Sequence, residues 1–139
     1  MGNAIISVTN LKLKRCEMLD ILAVGAGGFL GAVCRYLISL IPLDKSFVFP
    51  IKTLLINIAG CMIIGIITIA ASKNAEMNPY LLLFLKVGVC GGFTTFSTFA
   101  LETSELMKDG HMMVAFIYVM LSVFIGVAVI FSIEYFSIK

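Results

Sequence analysis

Charged residues are scarce in this chain, and tryptophan is absent. Aspartate, glutamate, lysine and arginine make up 13% of the 139 residues, whereas 60% are hydrophobic and the mean hydropathy is +1.09. A soluble domain carries about 25% charged residues. The composition therefore excludes a soluble globular domain and indicates an integral membrane protein. The net charge of +2 is too small to indicate a nucleic-acid partner.

Histidine and paired cysteines are also lacking. His111 is the single histidine, and the four cysteines, Cys16, Cys34, Cys61 and Cys90, form no CxxC pair. A metal or redox centre needs convergent ligands, which this pattern does not provide. It does not indicate a disulfide framework either. The cysteines are interpreted as small buried thiols, since free cysteine is among the most buried residue types.

Apolar residues are concentrated in four long segments. Four helices of about 20 residues each would use about 80 residues, which leaves only tails and short loops and no room for a soluble catalytic domain. We therefore predict an all-α membrane protein that is not an enzyme, with residues 1–18 as an N-terminal tail and residues 19–139 as a four-helix transmembrane domain. The predicted spans are Leu19 to Ile41, Ile51 to Ala71, Pro79 to Glu102, and His111 to Phe136.

The third segment contains a polar stretch that a simple anchor would not need. It reads GVCGGFTTFSTFALE, from Gly88 to Glu102. Each polar group at membrane depth costs free energy unless it finds a partner. Small residues that only let helices pack closely explain one glycine pair, but not the whole cluster. Glycine is poor and threonine mediocre inside helices, so Gly91-Gly92 followed by Thr94-Thr95 predicts a helix break with freed carbonyl groups.

Other polar residues lie inside the spans, and none of those well inside is acidic. Asn57 stands among aliphatic residues, Arg35 lies near the end of the first span, and Tyr118 and Ser122 are four residues apart on the fourth. Alternative interpretations are a helix-bridging asparagine, a snorkelling arginine and an interfacial tyrosine. A proton-coupled exporter normally has a carboxylate at mid-membrane depth. The donors found here suit an anion instead.

Phenylalanines recur every third residue in the polar stretch, at Phe93, Phe96 and Phe99. Phe96 and Phe99 face the same way on a helix. The edge of an aromatic ring is positive, so correctly held rings could line the path of an anion, although packing alone is the alternative. Four helices pack to a filled core. A pore would therefore require an oligomer with the path between chains.

The basic residues are nearly balanced between the two sides of the predicted bundle. They favour a cytoplasmic N-terminus only weakly under the positive-inside rule. A chain of this kind could insert in both orientations.

Three motifs of the sequence resemble those of a known family. The stretch GVCGGFTTFSTFALE is similar to the third-helix signature of the CrcB/Fluc fluoride ion channels, and the match extends over GAGGFLGAVCRYLIS in the first span and NIAGCMIIG in the second. The resemblance covers the chain from about Met18. It implies an antiparallel, dual-topology homodimer in the cell membrane, or a pair with a homologous subunit. Its two pores would passively export fluoride from the cytoplasm and so reduce fluoride toxicity.

The resemblance also implies roles for individual residues. Phe96 and Phe99 would line the pore, and Asn57 would be its polar residue on the second helix. Arg35 would be the arginine of the vestibule. The carbonyl groups of Gly91 and Thr94 would bind a structural Na⁺ at the dimer centre. The polar track would comprise four hydroxyl-bearing residues: Thr95, Thr98, Tyr118 and Ser122.

Two departures from the family pattern affect the predicted site. Gly126 stands where the polar track could continue with a hydroxyl group, and the N-terminal extension with its weak charge bias leaves a paired-gene arrangement open. The alternative functions are a small dual-topology, proton-coupled cation or multidrug exporter and a non-transporting membrane assembly subunit.

Overall fold

The structure is a computed structural model that describes the backbone of residues 2–42 and 48–138 and the side chains of residues 17–42 and 48–137. Most of the loop predicted between Pro42 and Pro50 lies outside these ranges. Every regular element of the described part is helical. The helices are α1 (Gly2–Ser39), α2 (Ile51–Lys73), α3 (Pro79–Leu82), a π-helical segment (Leu83–Val89), α4 (Cys90–Phe93), α5 (Phe96–Lys108) and α6 (Met112–Ile138).

Four helical stretches are long and apolar enough to cross a membrane, which confirms the predicted number and order of spans. They are Glu17–Ser39, Ile51–Lys73, Pro79–Lys108 and Met112–Ser137. We call them the first to fourth spans. The backbone of α1 is already helical from Gly2, so the predicted tail is described as a continuation of the first span. The division into a tail and a transmembrane domain stays a prediction.

The third span is interrupted near its middle, as predicted. Thr94 and Thr95 have extended backbone, with φ/ψ of −78°/160° and −148°/113° respectively. Gly91 and Gly92 remain helical in α4. The residues that leave the helix are thus the threonines, whose hydroxyl groups can satisfy nearby backbone groups.

The beginning of the third span differs from an ordinary α-helix. Asn78 caps it, because its Oδ1 atom accepts a hydrogen bond from the N–H of Tyr80 at 2.9 Å, and Pro79 occupies the first turn. Asparagine is a preferred N-cap residue, and proline is common in the first turn of a helix. After Leu82 the chain winds as a π-helix from Leu83 to Val89. The sequence did not predict this segment, because it contains no glycine or proline before Gly88.

Glycines allow α1 to approach the third span closely. A Cβ atom on Gly27 would come within 2.9 Å of the Gly88 Cα, and one on Gly31 within 2.8 Å of the Phe93 nitrogen. The contacts are with backbone atoms, which cannot move aside as a flexible side chain can. The Gly27–Gly31 pair, which has the small-xxx-small spacing of close helix contacts, therefore lets α1 pack directly on the third span. We call Gly27, Gly31, Gly88 and Gly92 the glycine seam.

We expect Gly31→Ala to destabilise the fold, because the new methyl group would overlap the backbone of the third span. Overpacking of this kind costs about 1–3 kcal/mol or more. Gly28→Ala is the matched control, since its Cβ would meet nothing within 4 Å. The measurement is the thermal unfolding of both purified variants in detergent. Equal midpoints for Gly31→Ala and Gly28→Ala would contradict the importance of the seam.

The other spans close the bundle around a small core. α2 packs against α6, where Gly65 contacts Ile133 and Gly126 faces the Sγ atom of Cys61. α5 also packs against α6, and the core there consists of Leu54, Leu106, Ala115 and Tyr118. Many large apolar side chains are exposed on the outer surface, whereas few are buried in the core. A surface of this size and composition is covered by lipid or by another chain, and the protein is a multi-pass membrane protein.

Candidate functional site

Asn57 of α2 bridges the break in the third span. Its Oδ1 atom accepts a hydrogen bond from the backbone N–H of Thr95 at 2.9 Å, and its Nδ2 atom donates to the carbonyl of the same residue at 3.2 Å. The N–H of Thr95 fixes which end of the amide is the acceptor. A side-chain amide nitrogen has two hydrogens, so the second one is left for another partner.

The break leaves several carbonyl groups without their usual helical donors, and those of Gly91 and Thr94 are two of them. In an α-helix the N–H of residue i donates to the carbonyl of residue i−4. The N–H of Thr95 turns to Asn57, away from the carbonyl of Gly91. The N–H of Thr98 turns to the Oγ1 atom of Thr95 at 3.2 Å, away from the carbonyl of Thr94. These two carbonyls are those to which the resemblance assigns sodium.

Arg35 of α1 is tied to the same break. Its Nε atom donates to the carbonyl of Gly92 at 3.2 Å, and its side chain is half-buried. This carbonyl would accept from the N–H of Phe96 if the helix continued. A positive charge near the exposed carbonyl ends of a helix is favourable. Arg35 therefore stabilises the C-terminal end of α4, and its predicted role in a vestibule stays a prediction.

An open groove of about 610 Å³ runs along one face of the bundle at the break. Its walls come from α2, the third span and α6, and they are mainly apolar with a few polar groups. We call this cavity the groove. Its lining consists of Asn57, Gly60, Cys61, Ile64, Lys86, Val87, Cys90, Gly91, Thr94, Thr95, Phe96, Phe99, Ser122, Val123 and Ile130.

The structure brings most of the predicted site residues together in the groove. Seven of them line it: Asn57, Gly91, Thr94, Thr95, Phe96, Phe99 and Ser122. Arg35, Thr98 and Tyr118 do not belong to the lining. Thr98 lies just behind it, since its hydroxyl oxygen accepts a hydrogen bond from Thr95 Oγ1 at 2.9 Å.

The two phenylalanines of the groove form a short aromatic row. The ring centroids of Phe96 and Phe99 are 5.7 Å apart, and those of Phe99 and Tyr118 are 5.1 Å apart. Phe96 is 79% exposed, whereas Tyr118 is fully buried. The row thus extends from the core to the open face of the groove, and Phe96 presents its ring to whatever occupies or covers that face.

A carboxylate behind the aromatic row was not among the predicted site residues. Glu102 accepts hydrogen bonds from the hydroxyl groups of Thr53 and Tyr118, both at 2.7 Å. Its carboxylate is therefore held against the core, although Glu102 lies towards the end of the third span. The spacing of Thr95, Thr98 and Glu102 on one helical stripe was the available signal, but only the fold shows that α2 and α6 supply the donors.

The hydroxyl track predicted on α6 ends at Ser122. The hydroxyl group of Tyr118 is used by Glu102, whereas the Oγ atom of Ser122 is buried and makes no hydrogen bond to the residues described. One helical turn further on, Gly126 leaves room for Cys61, whose Sγ atom would lie 3.3 Å from an added Cβ. The predicted departure at Gly126 thus corresponds to a packing contact between α2 and α6.

An interrupted membrane helix beside a cavity is tolerated where the cavity or protein covers the backbone, and it is typical of membrane proteins that bind or conduct small ions. This chain belongs to the CrcB family: the family model described as "CrcB-like protein, Camphor Resistance (CrcB)" matches residues 22–132.

Curated relatives agree with this assignment. The chain is 42% identical over 111 residues to a fluoride-specific ion channel FluC from Flavobacterium psychrophilum, a match that covers 78% of this chain and 89% of the relative. It is 44% identical over 115 residues to the protein of the same name from Chlorobaculum tepidum, covering 83% and 91%. For that from Ruminiclostridium cellulolyticum the identity is 45% over 108 residues, covering 77% and 83%.

Proposed function

We propose that this protein is a fluoride-selective ion channel that passively exports fluoride from the cytoplasm across the cell membrane and so reduces fluoride toxicity. The observation that carries the proposal is the orientation of Asn57. Its two hydrogen bonds to Thr95 leave one amide hydrogen free beside Phe96 and Phe99 in the groove. The curated relatives named as fluoride-specific channels support the same conclusion.

The groove suits a small anion for electrostatic reasons. An amide hydrogen and the positive edges of aromatic rings attract an anion. Ser122 adds a hydroxyl group that has no partner among the described residues. The carboxylate of Glu102 is turned away to Thr53 and Tyr118, which both donate hydrogen bonds to it, and Glu102 does not belong to the groove lining.

A closed path requires a second copy of the chain or a homologous subunit. In one chain the groove is open along its length, and the ring of Phe96 is 79% exposed. Lipid against this face would leave Asn57 and Thr95 close to hydrocarbon, which is unfavourable. We infer an antiparallel, dual-topology dimer in which each chain covers the groove of the other. The nearly balanced basic residues support this arrangement, because they do not fix one orientation.

The carbonyl groups of Gly91 and Thr94 would hold a structural sodium ion in such a dimer. Both carbonyls have lost their helical donors, and the space next to Gly91 is open, with nothing within 4 Å of an added Cβ. Carbonyl oxygen is the ligand type that suits a hard cation. Two carbonyls from each chain would meet at the twofold axis, and the bound ion would supply a fixed positive charge that keeps the breaks together.

The experiment is fluoride release from liposomes that contain only this protein, with a potassium ionophore to balance charge and a fluoride electrode as the detector. We expect rapid release down the fluoride gradient, with no imposed pH difference. Release only when a proton gradient is imposed would favour the exporter. No release from vesicles with correctly folded protein would favour an assembly subunit. Either result would exclude a passive channel.

A further inference from the structure

Lys86 is the one lysine, arginine, aspartate or glutamate among the described residues that line the groove. It lies in the π-helical segment of the third span and is half-buried. Within the described residues its ammonium group makes no hydrogen bond and no ion pair. An ionisable group inside a membrane span is costly and is normally paired or turned towards a water-filled path. The position of Lys86 therefore suits a water-filled path or a negatively charged partner.

The polar groups of the groove are unevenly distributed along its length. Thr95 meets Asn57, and the preceding Thr94 contacts Gly60, so the third span runs antiparallel to α2. Lys86 precedes Thr94 by about two helical turns. It consequently lies towards the other end of the groove from Asn57.

That other end is otherwise apolar. The groove residues there are Ile64 of α2, Val87 of the π-helical segment and Ile130 of α6. Gly126, which lies between Ser122 and Ile130 on α6, contributes no hydroxyl group and packs against Cys61. Among the described residues that line the groove, an anion that moves past Ser122 would meet no side-chain N–H or O–H donor other than the ammonium group of Lys86.

We propose that Lys86 is an anion-attracting residue that guides fluoride through the apolar end of the groove, beyond Ser122, the last hydroxyl-bearing residue of α6 in the groove lining. This inference rests on the proposed function. Lys86 acts as a mobile point charge that an anion can approach and leave. The interaction is electrostatic, so another cationic side chain preserves it and a neutral one of the same length does not.

The test is fluoride efflux from liposomes at several fluoride concentrations with Lys86→Met and Lys86→Arg. Loss of a unit charge near the path should raise the half-saturating fluoride concentration of Lys86→Met by about three- to thirty-fold. Lys86→Arg should stay within about twofold of the unmodified protein, since it keeps the charge. Lys108→Met is the matched control. It removes the same charge at the exposed end of α5, outside the groove.

Lys86→Gln is measured in parallel as a second neutral variant, so that the test can still be made if Lys86→Met aggregates. Unchanged half-saturation in the neutral variants would overturn the proposal. So would loss of the dimer on a sizing column, which would assign the ammonium group to a carboxylate of the second copy. An unmodified protein that releases no fluoride would instead refute the proposed function, so the two failures are distinguishable.

Discussion

Asn57→Asp is expected to reduce fluoride efflux by about 100-fold or more, because two unfavourable changes coincide at one atom. The substitution replaces the Nδ2 donor by an oxygen that faces the carbonyl of Thr95, and it places a negative charge beside the path. Two like charges about 4 Å apart repel each other by about 4 kcal/mol at an effective dielectric constant of about 20, and about 1.4 kcal/mol corresponds to a factor of ten. The measurement is the initial rate of fluoride release from liposomes.

Asn74→Asp makes the same chemical change at the exposed C-terminal cap of α2 and should leave the rate within about twofold, as expected for a surface substitution. Asn57→Ala separates charge from geometry, since it removes the donor without adding a charge. Both Asn57 variants are first checked for dimers on a sizing column. Full flux through a dimeric Asn57→Asp protein would mean that the path of the anion does not pass this residue.

Phe96→Ile is the second large expected effect, with a loss of fluoride efflux of about two- to twelvefold. Isoleucine keeps most of the apolar volume but has no positive ring edge, and the interactions of such an edge are worth about 0.5–1.5 kcal/mol. It also ends the aromatic row that Phe99 and Tyr118 continue into the core. The initial rate of release again measures the effect.

Phe116→Ile is the corresponding control for Phe96→Ile. Phe116 is an exposed aromatic residue on α6 that does not belong to the groove lining. We expect its replacement to leave the flux unchanged. If Phe96→Ile and Phe116→Ile gave equal rates while both proteins remained dimeric, the ring of Phe96 would have only a packing role.

The sequence predicted the fold well because the bilayer imposes simple rules. Hydropathy and length determine the four spans, and the low helix propensity of Gly91-Gly92 and Thr94-Thr95 indicated where the third one is interrupted. The glycines of α1 were spaced for close packing, and the seam is formed by the pair Gly27 and Gly31 together with glycines of the third span. In each case the signal is local, or repeats at the helical period.

What the sequence could not supply were the partners that depend on three-dimensional packing. The pairing of Asn57 with Thr95 and the hydrogen bonds of Glu102 join residues from different spans. The polar residues of a stripe do not reveal which of them face the groove, and Tyr118 turned out to lie in the core. The π-helical segment, which carries Lys86, packs against α1, and its amino-acid composition does not distinguish it from an α-helix.

The bridge between Asn57 and Thr95 has a consequence for how the chain enters the membrane during synthesis. The third span leaves the translocation machinery with the N–H of Thr95 unsatisfied at its centre, and the side chain that accepts from it in the described structure belongs to α2. Lipid offers no substitute for this bond. We therefore infer that α2 is retained beside the insertion site until the third span arrives, so that the two are released as a hairpin rather than one after the other.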